Sequence, residues 1–275
     1  MTQLHYFLVI PLFILGFHSV QGQSTVSDPR NASFWAKPEQ IGGWIGFGSA
    51  IQNKSLITDA CNCSFEGGRG LTFSLGLSYE NELTSKVVWG AGLDYRYIGM
   101  DARYQETEQM TIEKTAAGTK ANIMVPFRHN AEITTSYIGI TPYIKYFVGT
   151  RFFGRVGINA GMLITPTLTH TKQLLIRSAV LSSGETVIIS LDPSTDPRIV
   201  SEELAIIQDG PLAKANSIYI GLQSGLGAEF RVGNRAIIGP TVLYTIPFTG
   251  MSSYPNSNFT IANLQVLAEL RIALD

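Results

Sequence analysis

Leu71-Thr72-Phe73-Ser74-Leu75-Gly76-Leu77-Ser78-Tyr79-Glu80 alternates apolar with small or polar residues without a break. Successive side chains of a strand point to opposite faces, so this stretch reads as a strand with one oily face. A short polar turn, about Asn81 to Ser85, leads into a second apolar file: Val87, Trp89, Ala91, Leu93, Tyr95 and Tyr97. Lys86, Val88, Gly90, Gly92, Asp94 and Arg96 form the opposite file. Each strand runs about ten residues, longer than the five or six usual in soluble sheets and about what a tilted strand needs to cross a bilayer. The second face carries Gly, Ser and charges of both signs, which suits a narrow barrel interior better than open water. The hairpin therefore predicts an all-β fold, an eight-stranded antiparallel up-and-down transmembrane β-barrel of which it forms two strands.

The same alternation continues along the chain. A glycine-crowded first strand, about Gln40 to Ile51, places Ile45, Phe47 and Ile51 outward and Trp44 inward. A polar loop, Asn53 to Arg69, precedes the hairpin, and a long polar segment, about Gly99 to Thr134, follows it. Part of that segment is expected to extend the hairpin above the membrane. Ile138, Ile140, Pro142, Ile144, Tyr146 and Val148 form the outward file of the fourth strand, with a bulge or weakness expected at Pro142 because proline lacks a ladder donor. Gly149-Thr150 turns into a fifth strand with Phe152, Val156, Ile158 and Met162 outward. The longest loop, about 166 to 215, is expected to hold a raised hairpin from Leu174–Val180 and Thr186–Leu191. The last three strands place Leu226, Val242 and Leu264 outward, with a Gly233-Asn234 turn and a short loop around Pro255.

Loop lengths alternate long and short, the order expected of a barrel with short periplasmic turns and longer outer loops. Aromatic residues fall near both strand ends: Tyr79, Trp89, Tyr146, Phe152 and Phe230 toward the short turns, and Tyr95, Tyr97, Tyr244 and Phe248 toward the long loops. Two such girdles flank the apolar band of a membrane barrel.

Composition agrees. Charged residues are 15% of the 275, against roughly 25% in soluble domains. The formal net charge of -1 offers no broad basic surface, so a nucleic-acid partner is not expected. The apolar run Phe7 to Phe17, ending in Ser19-Val20-Gln21-Gly22, predicts a signal peptide over residues 1–22. A periplasmic lead-in over 23–39, in which Phe34 and Trp35 tuck against the barrel end, and an outer-membrane barrel over 40–275 complete the expected organisation.

Inward parity selects a set of charges for the bore: Glu80, Asp94, Arg96, Lys145, Arg155, Glu229, Arg231, Glu269 and Arg271, with Arg235 beside them. An eight-stranded barrel is just wide enough for side chains to fill, and buried charges must pair. A mixed-sign interior network is therefore expected, structural in role. Catalytic, cofactor and metal sites are not expected. Beyond the signal segment the histidines are His129 and His170, both in or near outer loops, with His170 read as a solvated loop histidine. Gly67-Gly68-Arg69-Gly70 enters a strand rather than a helix, which argues against a phosphate loop. Cys61 and Cys63 could pair only through a strained bridge, and are read as a loop feature.

Tyr137-Ile138-Gly139-Ile140-Thr141-Pro142-Tyr143-Ile144-Lys145-Tyr146, followed by Arg155-Val156-Gly157 and Ala160-Gly161, resembles the PorT-type outer-membrane β-barrel family of Bacteroidetes-like bacteria. Gly225-Leu226-Gly227-Ala228-Glu229-Phe230 resembles a later Gly-rich strand of that family. The resemblance implies an eight-stranded barrel in the outer membrane of a Gram-negative envelope. The expected function is a non-enzymatic integral barrel whose outer loops bind something or brace a larger envelope assembly. Its expected partners are outer-membrane lipids, the barrel-assembly machinery and an envelope protein met through the outer loops. Two rivals are a small barrel lipid hydrolase using His170 and a soluble, exported, lipocalin-like binder of apolar ligands with the oily file turned inward.

Overall fold

The computed structural model describes residues 39–58, 63–113, 120–164, 166–181, 184–232, 235–253 and 259–274. The signal segment, Phe34 and Trp35, the Gly233-Asn234 turn and the loop around Pro255 lie outside the described residues. Eight strands close into an antiparallel ring: β1 (Glu39–Asn53), β2 (Arg69–Thr84), β3 (Val87–Glu113), β4 (Lys120–Val148), β5 (Phe152–Leu163), β6 (Ile218–Ala228), β7 (Ala236–Pro247) and β8 (Thr260–Ala273). Each pairs with its neighbours in sequence, and β8 returns to β1 through pairs such as Ile45↔Ala268 and Phe47↔Val266. Closure gives every ring strand two partners, so the ring itself has no open edge.

Parity within the ring follows the alternation. Leu75, Leu93 and Leu226 are 46%, 51% and 72% exposed, whereas Asp94 and Arg155 are 3% and 2% exposed. Apolar side chains thus cover the outside and charges fill the inside, inverting the arrangement of a water-soluble barrel. Trp44 is buried in the bore while Ile45 and Phe47 point out. The short turns are tight. Thr84 Oγ1 accepts from the Lys86 and Val87 amides at 3.3 and 3.1 Å, and Gly149 takes φ 73° in the β4–β5 turn, a conformation that favours glycine.

At Pro142 the ladder weakens without bulging. The β4–β5 pairs stop at Ile140↔Ala160 and resume at Tyr143↔Gly157 in the same register, while the β3–β4 ladder runs on through Ala91↔Pro142.

Interior glycines make room for the large interior rings. A Cβ on Gly76 would lie 2.4 Å from Trp44 Cζ2 and 2.6 Å from the Leu93 carbonyl oxygen, and one on Gly92 would lie 2.5 Å from Trp44 Cη2. The Trp44 indole therefore lies across two strands that must lack side chains. Gly76→Val is expected to destabilise the barrel by about 1–3 kcal/mol through overpacking. Replacing Trp44 with Leu in the same chain should recover part of that loss, with both read by denaturant unfolding of the detergent-solubilised protein.

Strands β3 and β4 are 27 and 29 residues long and stay paired from Val87↔Tyr146 to Glu113↔Lys120. Almost the whole polar segment after Tyr97 is thus a raised hairpin, not just part of it. Thr167–Leu174 adds to the raised part of β4, Leu204–Pro211 adds to that, and Ile199–Ser201 forms the outermost strand. The hairpin expected within the longest loop is present but shorter, Ser178–Val180 against Thr186–Ile188.

The first loop is less polar in its packing than its composition. A short hairpin, Leu56–Ile57 with Ser64–Phe65, folds Leu56 and Phe65 fully into the long-loop mouth of the ring. Gln52 ties it down: its Nε2 donates to the carbonyls of Phe65 (2.7 Å) and Lys54 (2.9 Å), and its Oε1 accepts from the Gly68 amide (2.8 Å). Leu56, Phe65, Ile98, Met100, Ile133, Leu168, Met251 and Phe259 belong to one apolar cluster that caps the bore.

Candidate functional site: a charge-filled bore and a polar layer above it

Toward the short turns the bore holds three acids and three bases. Glu269 accepts from Arg155 Nη1 at 2.8 Å and from Lys145 Nζ at 3.2 Å. Lys145 Nζ also reaches Glu80 Oε1 at 2.6 Å and Glu229 Oε1 at 3.5 Å. Arg271 forks between Glu80 and Glu229, with its Nε 3.7 Å from Glu269. The Tyr143 hydroxyl donates to Glu80 at 2.6 Å, and the Arg155 guanidinium lies 3.6 Å from the centre of the Tyr143 ring. All six charged side chains are nearly or fully buried. A desolvated charge is tolerable only when paired and hydrogen-bonded, and here each member touches at least one of opposite sign.

A second group sits closer to the mouth. Arg96 donates to Asp94 at 3.2 Å and to the Tyr137 hydroxyl at 3.0 Å, and Tyr137 stacks on Tyr219. Asn159 donates to Thr141 at 2.6 Å and to Asp94 at 3.3 Å. Between the two groups, a cavity lined by Trp44, Asp94, Arg96, Arg155, Gln223 and Gln265 measures about 10 Å³, room for about one water molecule.

Of the nine charges assigned to the bore, eight fall into these two groups. Arg231 does not: it is half-buried at the short-turn rim on the segment Phe230–Val232, and Arg235 is exposed. Inward parity at a rim leaves a side chain within reach of water, and alternation alone cannot distinguish rim from centre.

The histidine reading requires correction. His129 and His170 are buried rather than solvated, and His129 Nδ1 lies 2.9 Å from His170 Nε2. They occupy the inner face of the raised sheet, where β4 pairs with Thr167–Leu174. Tyr104 stacks on the His129 ring, and Phe65 meets His170 edge-on. Burial pushes His170 down to about 4, helped by His129 and by the Lys172 ammonium. Burial also lowers His129, with Lys172 acting in the same direction and Glu108 and Glu106 opposing. Below this layer lies the mouth cluster with Ala131, Ile133 and Leu168; above it lies a second apolar cluster with Val125, Phe127 and Leu174. A raised extension of the hairpin was expected from the sequence; the pairing of Thr167–Leu174 with it, which brings His170 against His129, was not.

Cys63 is disulfide-bonded, and Cys61, the other cysteine of the chain, lies outside the described residues. A donor atom of Cys63 lies close to the histidine pair, but a disulfide sulfur is not the thiolate that binds metals.

No family model and no curated protein matches this sequence. Among solved structures, the chain is similar to Neisserial surface protein A (NspA) at 11% identity and TM-score 0.34, covering 86% of this chain and 97% of that one. Similarity to the outer membrane protein OprG from Pseudomonas aeruginosa has 12% identity and TM-score 0.40, over 86% and 95% of the two chains. Similarity to Ail, the attachment invasion locus protein of Yersinia pestis, in a complex with the heparin analogue sucrose octasulfate, has 10% identity and TM-score 0.29, over 86% and 99%.

Proposed function

We propose that this protein is a non-enzymatic integral β-barrel of a bacterial outer membrane, exported by its signal peptide, with a side-chain-filled bore. Its raised outer sheet and loops would serve to bind a partner or brace a larger envelope assembly. The observation that carries the reading is the inversion of the ring: large aliphatic side chains exposed all round the outside, and a balanced set of ions sealed within. In water such an exterior would be an aggregation surface; in hydrocarbon it is the stable arrangement, because a closed ring leaves no strand edge unpaired. The resemblance of the Tyr137–Tyr146 strand and its Gly-rich return to the PorT-type family supports the same placement. Lipids of that membrane and its barrel-assembly machinery are the partners this reading requires, with an envelope protein as the occupant of the outer surface.

The rivals fare worse on specific grounds. A lipocalin-like binder needs an apolar interior, and this one is filled with ions and amides. A hydrolase using His170 needs that imidazole at a lipid-accessible rim, and it is fully buried beneath Phe65 and His129.

The reading is tested by fractionation. The protein is expected to stay with membranes through carbonate washing, to require detergent for release, and to migrate differently on gels before and after boiling. In planar bilayers it is expected to carry no steady current, since the interior is filled by paired, buried side chains. Release by carbonate or high salt without detergent would overturn the membrane assignment.

A further inference from the structure

We propose that the polar layer of the raised sheet is a binding site for a divalent transition-metal ion of the Zn²⁺ class, with His129 Nε2, Glu106 and Glu108 as ligands. One donor atom from each of these residues lies within 4.8 Å of the others. Metal–ligand bonds of about 2.0–2.2 Å place such donors about 3–4 Å apart, so a small rotation of the two glutamates closes the set. Glu106 is exposed and Glu108 partly so, and both can make that movement.

The ring nitrogen is the independent observation. His129 is only 3% exposed, and its Nε2 has no hydrogen-bond partner. Its nearest charged neighbour, Glu108 Oε1, stands at 3.6 Å, beyond hydrogen-bond reach. Neutral imidazole carries one proton and one lone pair. Were His170 to donate to His129 Nδ1, the Nε2 proton would have only Glu108 Oε1 before it, at 3.6 Å. Were His129 Nδ1 to donate to His170, a bare lone pair would face two carboxylates. Each tautomer leaves the buried Nε2 poorly satisfied, which is a cost to the fold. A cation at the meeting point removes that cost for the second tautomer only.

The surroundings fit the assignment. His170 receives the Nδ1 proton and so directs the Nε2 lone pair toward the glutamates, the role that second partners play for metal-bound histidines. Tyr104 stacks on the imidazole and its hydroxyl donates to Glu106 Oε2 at 3.4 Å. Lys172 holds Glu108 through Oε2 at 2.5 Å, leaving Oε1 for the metal. One imidazole with two carboxylates suits Zn²⁺ and its first-row neighbours; Ca²⁺ and Mg²⁺ prefer oxygen alone. The rival trio of Cys63, His129 and His170 is as compact, but its sulfur is bridged and its two facing nitrogens contact each other.

The test uses the full-length chain in detergent, stripped with EDTA and titrated calorimetrically with Zn²⁺. One Zn²⁺ per chain is expected to bind. Glu106→Gln and Glu108→Gln should each weaken binding by at least about tenfold, and His129→Asn should abolish it. The glutamine variants lie on the wetter side of the layer and should keep the wild-type gel shift on boiling, so a loss of binding in them is not a loss of fold. Absence of saturable Zn²⁺ binding to the wild type would overturn the proposal. So would binding that both glutamine variants leave within twofold, or displacement of Zn²⁺ by millimolar Ca²⁺.

Discussion

Glu269→Ala is expected to destabilise the barrel by about 3–5 kcal/mol, the largest effect of any single bore substitution. Glu269 neutralises Lys145 and Arg155 directly and lies beside the Arg271 fork. Its removal leaves three buried cations facing Glu80 and Glu229 alone. The desolvation already suffered by the cations is then uncompensated, which is why breaking a buried pair costs far more than forming it gains. Arg155→Met with Glu269→Leu removes one charge of each sign and keeps apolar volume. That double variant is expected to recover most of the loss, since replacing a complete buried pair with apolar residues is often neutral or stabilising. Urea unfolding in lipid vesicles, followed by the boiled and unboiled gel bands, separates the cases. A single variant within about 1 kcal/mol of wild type would mean that water reaches the cluster, as it does for exposed pairs.

The ring was legible because its strands carry a local code. Each strand carries its own two-residue period, so Leu93 and Asp94 disclose their faces without knowledge of any other strand. Eight of the nine charges assigned to the bore followed from that period alone. The mouth was less legible because its code is not local. Leu56 and Phe65 come from one loop and Met251 and Phe259 from another, and only their packing together with Ile98 and Ile133 makes them a core. His129 and His170 are 41 residues apart and meet because Thr167–Leu174 pairs with the raised part of β4. An extended hairpin was expected after Tyr97, but nothing local in the sequence pairs Thr167–Leu174 with it. The error at Arg231 is the same kind in reverse: its parity is right, and its depth is not.

Ile140 and Val200 are both 58% exposed, and arginine at the two sites is expected to have opposite consequences. Ile140 lies on the outer face of β4 between Leu93 and Ala160, midway between the aromatic rings of Tyr146 and Trp89 on one side and Tyr95 and Tyr97 on the other. If hydrocarbon surrounds this belt, Ile140→Arg costs about 2–4 kcal/mol, the penalty for a cation near the bilayer midplane. Val200 lies in Ile199–Ser201, the outermost strand of the raised sheet, which the proposed placement puts in water. Val200→Arg should stay within about 0.5 kcal/mol, like other surface changes that break no packing. Equal exposure removes packing as the explanation, so the difference measures the solvent on each face. Unfolding free energies in vesicles are the measurement, and equal small costs at both sites would mean that the apolar belt faces water.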